Sequence, residues 1–168
     1  MLYKTSILPN LTYFHLVWKF CKSSDRRKIE RIQERALRAV YKSQTETYEE
    51  LLTSAKLPTL YNRRLQHIAI LTYKLKYGMA QRCVSELFTI KSTHQRLRKC
   101  DFELLRFDTA AYGRHSLRYQ GPFIWSKVRG ELRNLTRLKA FKKHINGVDP
   151  SSHVDNNNSN CCVYSFRF

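Results

Sequence analysis

Hydrophobic side chains recur three or four residues apart along most of the chain, a spacing that is typical of amphipathic α-helices. Capping and breaking residues divide this pattern into separate helices. Thr47 and Glu50 have the spacing of a capping box, and Pro58 and Gly78 stand where the pattern stops. The predicted helices cover residues 9–21, 25–41, 47–55, 59–78, 84–88, 116–128 and 136–145.

The remaining sequence predicts less regular structure. Periodicity is weak over residues 91–114, where extended pieces are plausible at 96–107, and the end of the chain from 147 is rich in Asn, Ser, Asp and Gly. The predicted fold is therefore mainly α: a small helical bundle with a short irregular or extended insert and a disordered C-terminal tail. Residues 1–90 and 91–146 are expected to belong to the same compact domain, followed by the disordered tail at 147–168.

The predicted helix 25–41 has its charges segregated on one side. At about 100° per residue, one arc of this helix is apolar and another, about 100° wide, is cationic. Glu34 is placed to pair with Arg38 one turn later. The apolar arc consists of Ile29, Ile32, Ala36, Leu37, Ala39 and Val40, and the cationic stripe consists of Arg27, Lys28, Arg31, Arg35 and Arg38. Guanidinium groups suit phosphate oxygens, but charge runs of this kind are usually solvated helix faces.

The overall charge makes a polyanionic partner the leading interpretation. The chain has 31 Lys and Arg against 13 Asp and Glu, which gives a net charge of +18 and a pI of about 10.0. A compact body with this excess repels itself unless a polyanion neutralises it. Nucleic acid is the first candidate, an anionic membrane surface is the second, and the chain could also be a basic fragment of a larger, better balanced protein.

A second candidate surface combines aromatic and basic side chains. Tyr112 and Tyr119 are interleaved with Arg114 and Arg118, and stacking rings beside cations are what single-stranded nucleic acids bind. Tyr112 and Tyr119 are therefore candidate stacking residues, and Arg114 and Arg118 are candidate phosphate contacts. The alternative is that the tyrosines belong to a core, as aromatic side chains at helical spacing more often do. A weaker basic region follows at residues 127–143.

The sequence contains no recognisable catalytic or metal-binding motif. It has no phosphate-binding glycine loop, no nucleophile elbow, no adjacent aspartates and no zinc-ligand spacing. The five cysteines, Cys21, Cys83, Cys100, Cys161 and Cys162, are odd in number and widely spaced, which predicts reduced intracellular thiols. The apolar N-terminus lacks a signal-peptide cleavage pattern. We expect no cofactor, no small-molecule substrate and a nuclear or cytoplasmic protein that is not secreted.

Six pieces of the chain carry a family resemblance. They are "LTYFHLVW" at 11–18, "IQERALRAVY" at 32–41, "YEELLTSAKLPTLYNRRLQ" at 48–66, "YKLKYGMAQRCVSELF" at 73–88, "YGRHSLRYQGPFIWSKV" at 112–128 and "LKAFKKHI" at 138–145. In order and spacing they resemble the C-terminal region, thumb and post-thumb, of jockey-like non-LTR retrotransposon reverse transcriptases. The resemblance covers roughly residues 9–146. It departs from the family at Gln81, where a proline is common, and after Trp125, which "SKVRGEL" follows.

The resemblance implies a role that composition alone does not. In that family this region is a helical thumb, here residues 1–90 and the helices after it, which grips template and primer while a palm domain polymerises. The palm's paired aspartates, which bind Mg²⁺, have no counterpart in this sequence. The resemblance therefore implies a fragment of an RNA-directed DNA polymerase from a transposable element that is not an enzyme on its own. Its expected partners are RNA template, RNA–DNA hybrid and the palm domain of a parent polymerase.

An interpretation from another class remains open. The chain could be a stand-alone basic helical module that binds a protein or a membrane surface, with its charge steering an acidic partner.

Overall fold

The computed structural model describes residues 3–13, 16, 23–43, 45–90, 101–106, 113 and 116–147. The prediction of a mainly α fold is confirmed. In these ranges the chain forms a π-helical turn, Tyr3–Ile7, and the helices α1 (Leu8–Thr12), α2 (Ser23–Tyr41), α3 (Tyr48–Ala55), α4 (Leu60–Lys76), α5 (Arg82–Ser85), α6 (Leu117–Lys127), α7 (Gly130–Arg133) and α8 (Leu138–Gly147).

Some predicted elements differ or cannot be compared. The first helix ends at Thr12 because Tyr13 turns to an extended conformation, with φ −61° and ψ 127°. The short α7 was not predicted, since four residues are too few to show a period. Within the described residues, the predicted extended insert appears as one antiparallel bridge between Ile90 and Phe102. Most of that insert and the predicted tail, apart from Gly147, lie outside the described residues.

Two compact units make up the chain, Met1–Arg64 and Leu65–Phe168, and the division falls within α4. The predicted organisation into residues 1–90 and 91–146 stays a prediction. In the first unit one core cluster contains Tyr3, Leu37, Leu51 and Leu52. The side chains packed around it are Ile7, Leu8, Ala36, Tyr48, Ala55 and Leu57.

The two ends of α3 are fixed by local hydrogen bonds. The predicted capping box is confirmed: the Thr47 hydroxyl accepts from the Glu50 N–H, and the Glu50 carboxylate accepts from the Thr47 N–H at 2.8 Å. Lys56 ends the helix in the left-handed conformation, with φ 51°. The Leu57 N–H then reaches back to the Leu52 carbonyl at 3.0 Å, which is the bond of a Schellman motif. These bonds place Tyr48 and Leu51 against α2.

An aromatic cluster forms the core of the second unit. Tyr73 stacks on Phe141 with ring centroids 4.4 Å apart, and Trp125 meets Tyr73 and Phe102 edge-on at 6.4 and 6.3 Å. The Tyr73 hydroxyl is satisfied by the Leu135 carbonyl at 2.6 Å. Four elements thus contribute one ring each to the core, which fixes α4, α6, α8 and the segment around Phe102.

Gly121 allows close packing inside the second unit. A β-carbon at this position would lie 3.1 Å from the Phe88 ring and 3.3 Å from the Thr72 hydroxyl. The next residue, Pro122, lies within α6 without ending it. Because glycine carries no side chain, α6 can approach α4 closely at this point.

Candidate nucleic-acid interface

The cationic stripe of α2 is largely exposed, but not all of its members are equivalent. Arg27, Lys28, Arg31 and Arg35 are exposed. Arg38 is half-buried and donates from Nε and Nη2 to Glu34 Oε1 at 3.2 and 2.9 Å, as the i, i+4 spacing predicted. Lys28 forms an exposed ion pair with Asp25 at 3.2 Å.

Three arginines of the stripe have no ion-pair partner in the described part of the chain: Arg27, Arg31 and Arg35. We call these three the arginine row. They recur every fourth residue, so they lie about 6 Å apart along the helix axis and within one side of the helix. The row concentrates cationic charge on one side of α2 without an acidic partner among the described residues.

The apolar arc of α2 is buried only in part. Leu37 is 1% exposed, whereas Ile32 and Val40 are 50% and 45% exposed. The buried side instead runs through Gln33 and Leu37 and continues to the half-buried Glu30. Glu30 explains this difference, because it forms hydrogen bonds with residues of two other helices. These bonds turn the side of α2 that carries Glu30, rather than the centre of its apolar arc, toward those helices.

Glu30 connects α2 to α3 and to the start of α4. Its Oε2 accepts from the Tyr48 hydroxyl at 2.7 Å, and its Oε1 accepts from the Tyr61 backbone N–H at 3.1 Å. Burial raises the pKa of Tyr48, and the hydrogen bond and negative charge of Glu30 raise it further. The Tyr48 phenol therefore stays neutral and donates to Glu30, and the two hydrogen bonds orient Tyr48 and Tyr61 relative to α2.

A pocket of about 330 Å³ opens between α2, α3 and the start of α4. We call it the arginine pocket. Sequence reasoning did not identify it, because its members come from three helices that only the fold brings together. The described side chains that line it are Arg26, Arg27, Ile29, Glu30, Arg31, Glu34, Tyr48, Leu60, Tyr61 and Arg64. Arg27 and Arg31 belong both to the pocket and to the arginine row.

The second predicted surface is only partly described. Tyr112 and Arg114 lie outside the described residues. Arg118 is exposed and donates from Nε to the Leu87 carbonyl at 2.8 Å. Tyr119 is half-buried and stacks on Phe123, with centroids 5.9 Å apart. Arg118 and Tyr119 both lie on α6, and both of these contacts are made within the second unit.

The second unit carries another basic face, on α8. Lys139, Lys142 and Lys143 are exposed, while Phe141 and Ile145 on the same helix are fully buried. These lysines belong to the weaker basic region at residues 127–143. They give this unit a cationic side of the same formal charge as the arginine row.

The described residues offer neither a metal site nor a membrane span. In those ranges no three His, Cys, Asp or Glu side chains come together as metal ligands. None of the helices described is both long and apolar enough to cross a bilayer. Comparison of the chain with protein-family models, with curated proteins and with solved structures found no match.

Proposed function

We propose that this chain is a nucleic-acid-binding helical domain that holds an RNA template or an RNA–DNA hybrid by its phosphate backbone. The observation that carries the proposal is the arginine row, exposed and without ion-pair partners in the described part of the chain. Its members are about 6 Å apart along the axis. This spacing is close to twice the rise of roughly 3.4 Å per phosphate along one strand. Each arginine can therefore meet a separate phosphate.

The family resemblance supports the same assignment. In jockey-like reverse transcriptases the similar region is the thumb and the helices after it, which grip template and primer. On this proposal the chain is a fragment of an RNA-directed DNA polymerase that lacks the palm, so Mg²⁺ would belong to the palm and not to this chain. The palm domain of a parent polymerase would be its protein partner, and the complex would act in the nucleus or cytoplasm.

The binding experiment uses the full chain and a fluorescein-labelled RNA–DNA hybrid over a range of salt concentrations. Log affinity should fall linearly with log salt, and unrelated sequences should bind alike. Replacing Arg27, Arg31 and Arg35 together with glutamine should weaken binding to every sequence. Loss of three phosphate contacts should reduce the magnitude of the salt slope by about 2 to 3.

A matched variant on α8 separates the arginine row from net charge. Replacing Lys139, Lys142 and Lys143 with glutamine removes the same formal charge from an exposed face of the other unit. We expect a smaller change in the slope than for the arginine row. An equal change would show that net charge, rather than α2, governs binding. Metal-dependent nucleotide incorporation by the purified chain would contradict the assignment as a non-catalytic fragment.

One observation favours the alternative function, a stand-alone helical module that binds a protein or a membrane surface. Ile32, Val40 and Tyr41, three large apolar or aromatic side chains of α2, are 50%, 45% and 44% exposed, and exposed apolar patches mark interaction sites. A protein or anionic membrane surface could cover them. This alternative predicts that the chain binds a partner or anionic vesicles after nuclease treatment. It also predicts that Ile32→Ser abolishes that binding, while the glutamine variant of the arginine row leaves affinity for the hybrid unchanged.

A further inference from the structure

We propose that the arginine pocket binds a single unpaired nucleotide of a nucleic-acid strand held by the arginine row. The phosphate would bind the guanidinium groups, and the base would lie against the aromatic and aliphatic wall. This inference rests on the proposed nucleic-acid binding and specifies one site within it. Arg27 and Arg31 line the pocket and also belong to the row, so a backbone that follows the row passes the mouth of the pocket.

The lining of the pocket has more cations than anions. Its lining residues include four arginines, Arg26, Arg27, Arg31 and Arg64, and two glutamates, Glu30 and Glu34. Both carboxylates are already engaged. Glu30 accepts from the Tyr48 hydroxyl and the Tyr61 N–H, and Glu34 accepts from Arg38, which lies outside the pocket.

One of these arginines, Arg26, is placed where an anion would matter most. Arg26 forms no ion pair in the described part of the chain, and its Nε is buried with no hydrogen-bond partner there. Burying a cation is costly unless an opposite charge accompanies it. A phosphate with several acceptor oxygens supplies that charge in a geometry that suits guanidinium forks.

The remaining lining explains why the ligand is a nucleotide rather than phosphate alone. Tyr48, Tyr61, Ile29 and Leu60 give the pocket an apolar and aromatic wall. Inorganic phosphate would leave that wall unused, whereas a base stacks on it without regard to sequence. A volume of about 330 Å³ suits one nucleotide, since it lies at the low end of roughly 300 to 1,000 Å³ for ligand pockets.

The experiment compares two RNA–DNA hybrid hairpins that differ by one nucleotide. One is blunt, and the other carries a single unpaired 2-aminopurine at its 3′ end. We expect the overhang to bind roughly tenfold more tightly, the effect of stacking one base on an aromatic wall. We also expect 2-aminopurine fluorescence to be quenched on binding, because stacking against the tyrosine rings of the wall quenches this base.

Three single variants connect this preference to the pocket. Tyr61→Leu removes part of the wall, and Arg26→Gln removes a charge while keeping a polar side chain. Both should abolish the preference and the quenching without changing the affinity for the blunt hairpin. Arg35→Gln, in the row but not in the pocket, should weaken both hairpins equally. Circular dichroism melting identifies any variant that fails to fold, and Arg26→Gln still tests the pocket if Tyr61→Leu unfolds.

The outcomes separate the pocket from the proposed function. If both hairpins bind equally, without quenching but still dependent on Arg35, the pocket proposal is wrong and the nucleic-acid-binding function stands. The same holds if the preference survives in Arg26→Gln and Tyr61→Leu. If neither hairpin binds in a salt-dependent way, the proposed function is wrong and the pocket proposal fails with it.

Discussion

The Glu30 carboxylate accepts a hydrogen bond from the Tyr48 hydroxyl at 2.7 Å, across eighteen residues of sequence, and so joins α2 to α3. The same carboxylate accepts from the Tyr61 N–H at the start of α4. One acidic side chain therefore determines where the arginine row lies relative to the aromatic wall of the pocket. This arrangement gives Glu30 a structural role that its place on a charged helix does not suggest.

Glu30→Gln should destabilise the first unit. The substituted amide would present either a carbonyl or an NH₂ group to two hydrogen-bond donors, and it removes the charge that strengthens both bonds. We expect a loss of about 1.5 to 3 kcal/mol, the range for hydrogen bonds to charged groups. Urea unfolding followed by far-UV circular dichroism measures it. The exposed Glu46→Gln is the control, and an equal effect of the two substitutions would contradict the role assigned to Glu30.

Stability should decline in alkaline solution because of buried tyrosines. Burial raises the pKa of Tyr3 to about 12, with Arg63 lowering it and Glu30 raising it, and burial and Glu30 raise the pKa of Tyr48. A folded pKa above the unfolded value, 10.0, gives stability that is complete below that pH. This stability is lost as the pH rises toward the folded pKa. Urea unfolding at pH 9, 10 and 11 should show the decline, and Tyr48→Phe should make it shallower.

Helix signals were predictable from sequence where they depend on neighbouring residues. The Thr47 capping box and the glycine that follows α4, Gly78 with φ +65°, depend on contacts within one turn. The pairing of Glu34 with Arg38 has the same origin. The arginine pocket was not predictable, since it depends on a hydrogen bond between Glu30 and Tyr48 that spacing along one helix cannot show.

The helical wheel of α2 does not predict which side of this helix is buried. It sorts side chains by polarity and treats the apolar side as the natural core side. In the structure, Gln33 is 1% exposed and Ile32 is 50% exposed. The hydrogen bonds of Glu30 to Tyr48 and Tyr61 place α2 differently from its apolar arc, and the sequence pattern contains no information about partners on other helices.

Acid should weaken the second unit through Asp101. Its Oδ2 accepts from Trp125 Nε1 at 2.6 Å and from Lys76 Nζ at 3.1 Å. Partial burial by itself would raise the pKa of Asp101, but these hydrogen bonds and the charges of Lys76 and Arg133 outweigh it and lower the pKa. A lowered folded pKa gives stability that is present above the unfolded value, 3.8, and is lost as the pH falls through the folded value.

Asp101→Asn tests this contribution directly. At pH 6 we expect a loss of about 1.5 kcal/mol, the lower end for hydrogen bonds to charged groups, because the carboxylate is partly exposed. Between pH 6 and pH 3 the variant should lose less further stability than the parent. Trp125 fluorescence in a Trp18→Phe background reports the local change, with the exposed Glu103→Gln as control. Parallel pH profiles for the parent and Asp101→Asn would rule out this source of acid sensitivity.

Introducing glycine at one helix end and removing it at another should change the free energy of unfolding in opposite directions, because both positions have the same left-handed backbone conformation. Lys56 ends α3 with φ 51°, and Gly78 follows α4 with φ 65°, where an added β-carbon would meet no neighbouring atom within 4 Å. The left-handed conformation costs an L-residue roughly 1 to 2 kcal/mol. The greater freedom of glycine in the unfolded chain offsets about 0.4 to 1 kcal/mol of this. The two substitutions therefore isolate backbone conformation from packing.

Lys56→Gly should stabilise the first unit by about 0.5 to 1 kcal/mol, and Gly78→Ala should destabilise the second by a similar amount. Urea unfolding of the two variants beside the parent gives both values. The Schellman bond from the Leu57 N–H to the Leu52 carbonyl should persist in Lys56→Gly, because glycine adopts this conformation more readily than lysine. Stabilisation by Gly78→Ala would mean that unfolded-chain entropy exceeds left-handed strain. In that case Lys56→Gly should destabilise, since both ends have the same backbone geometry.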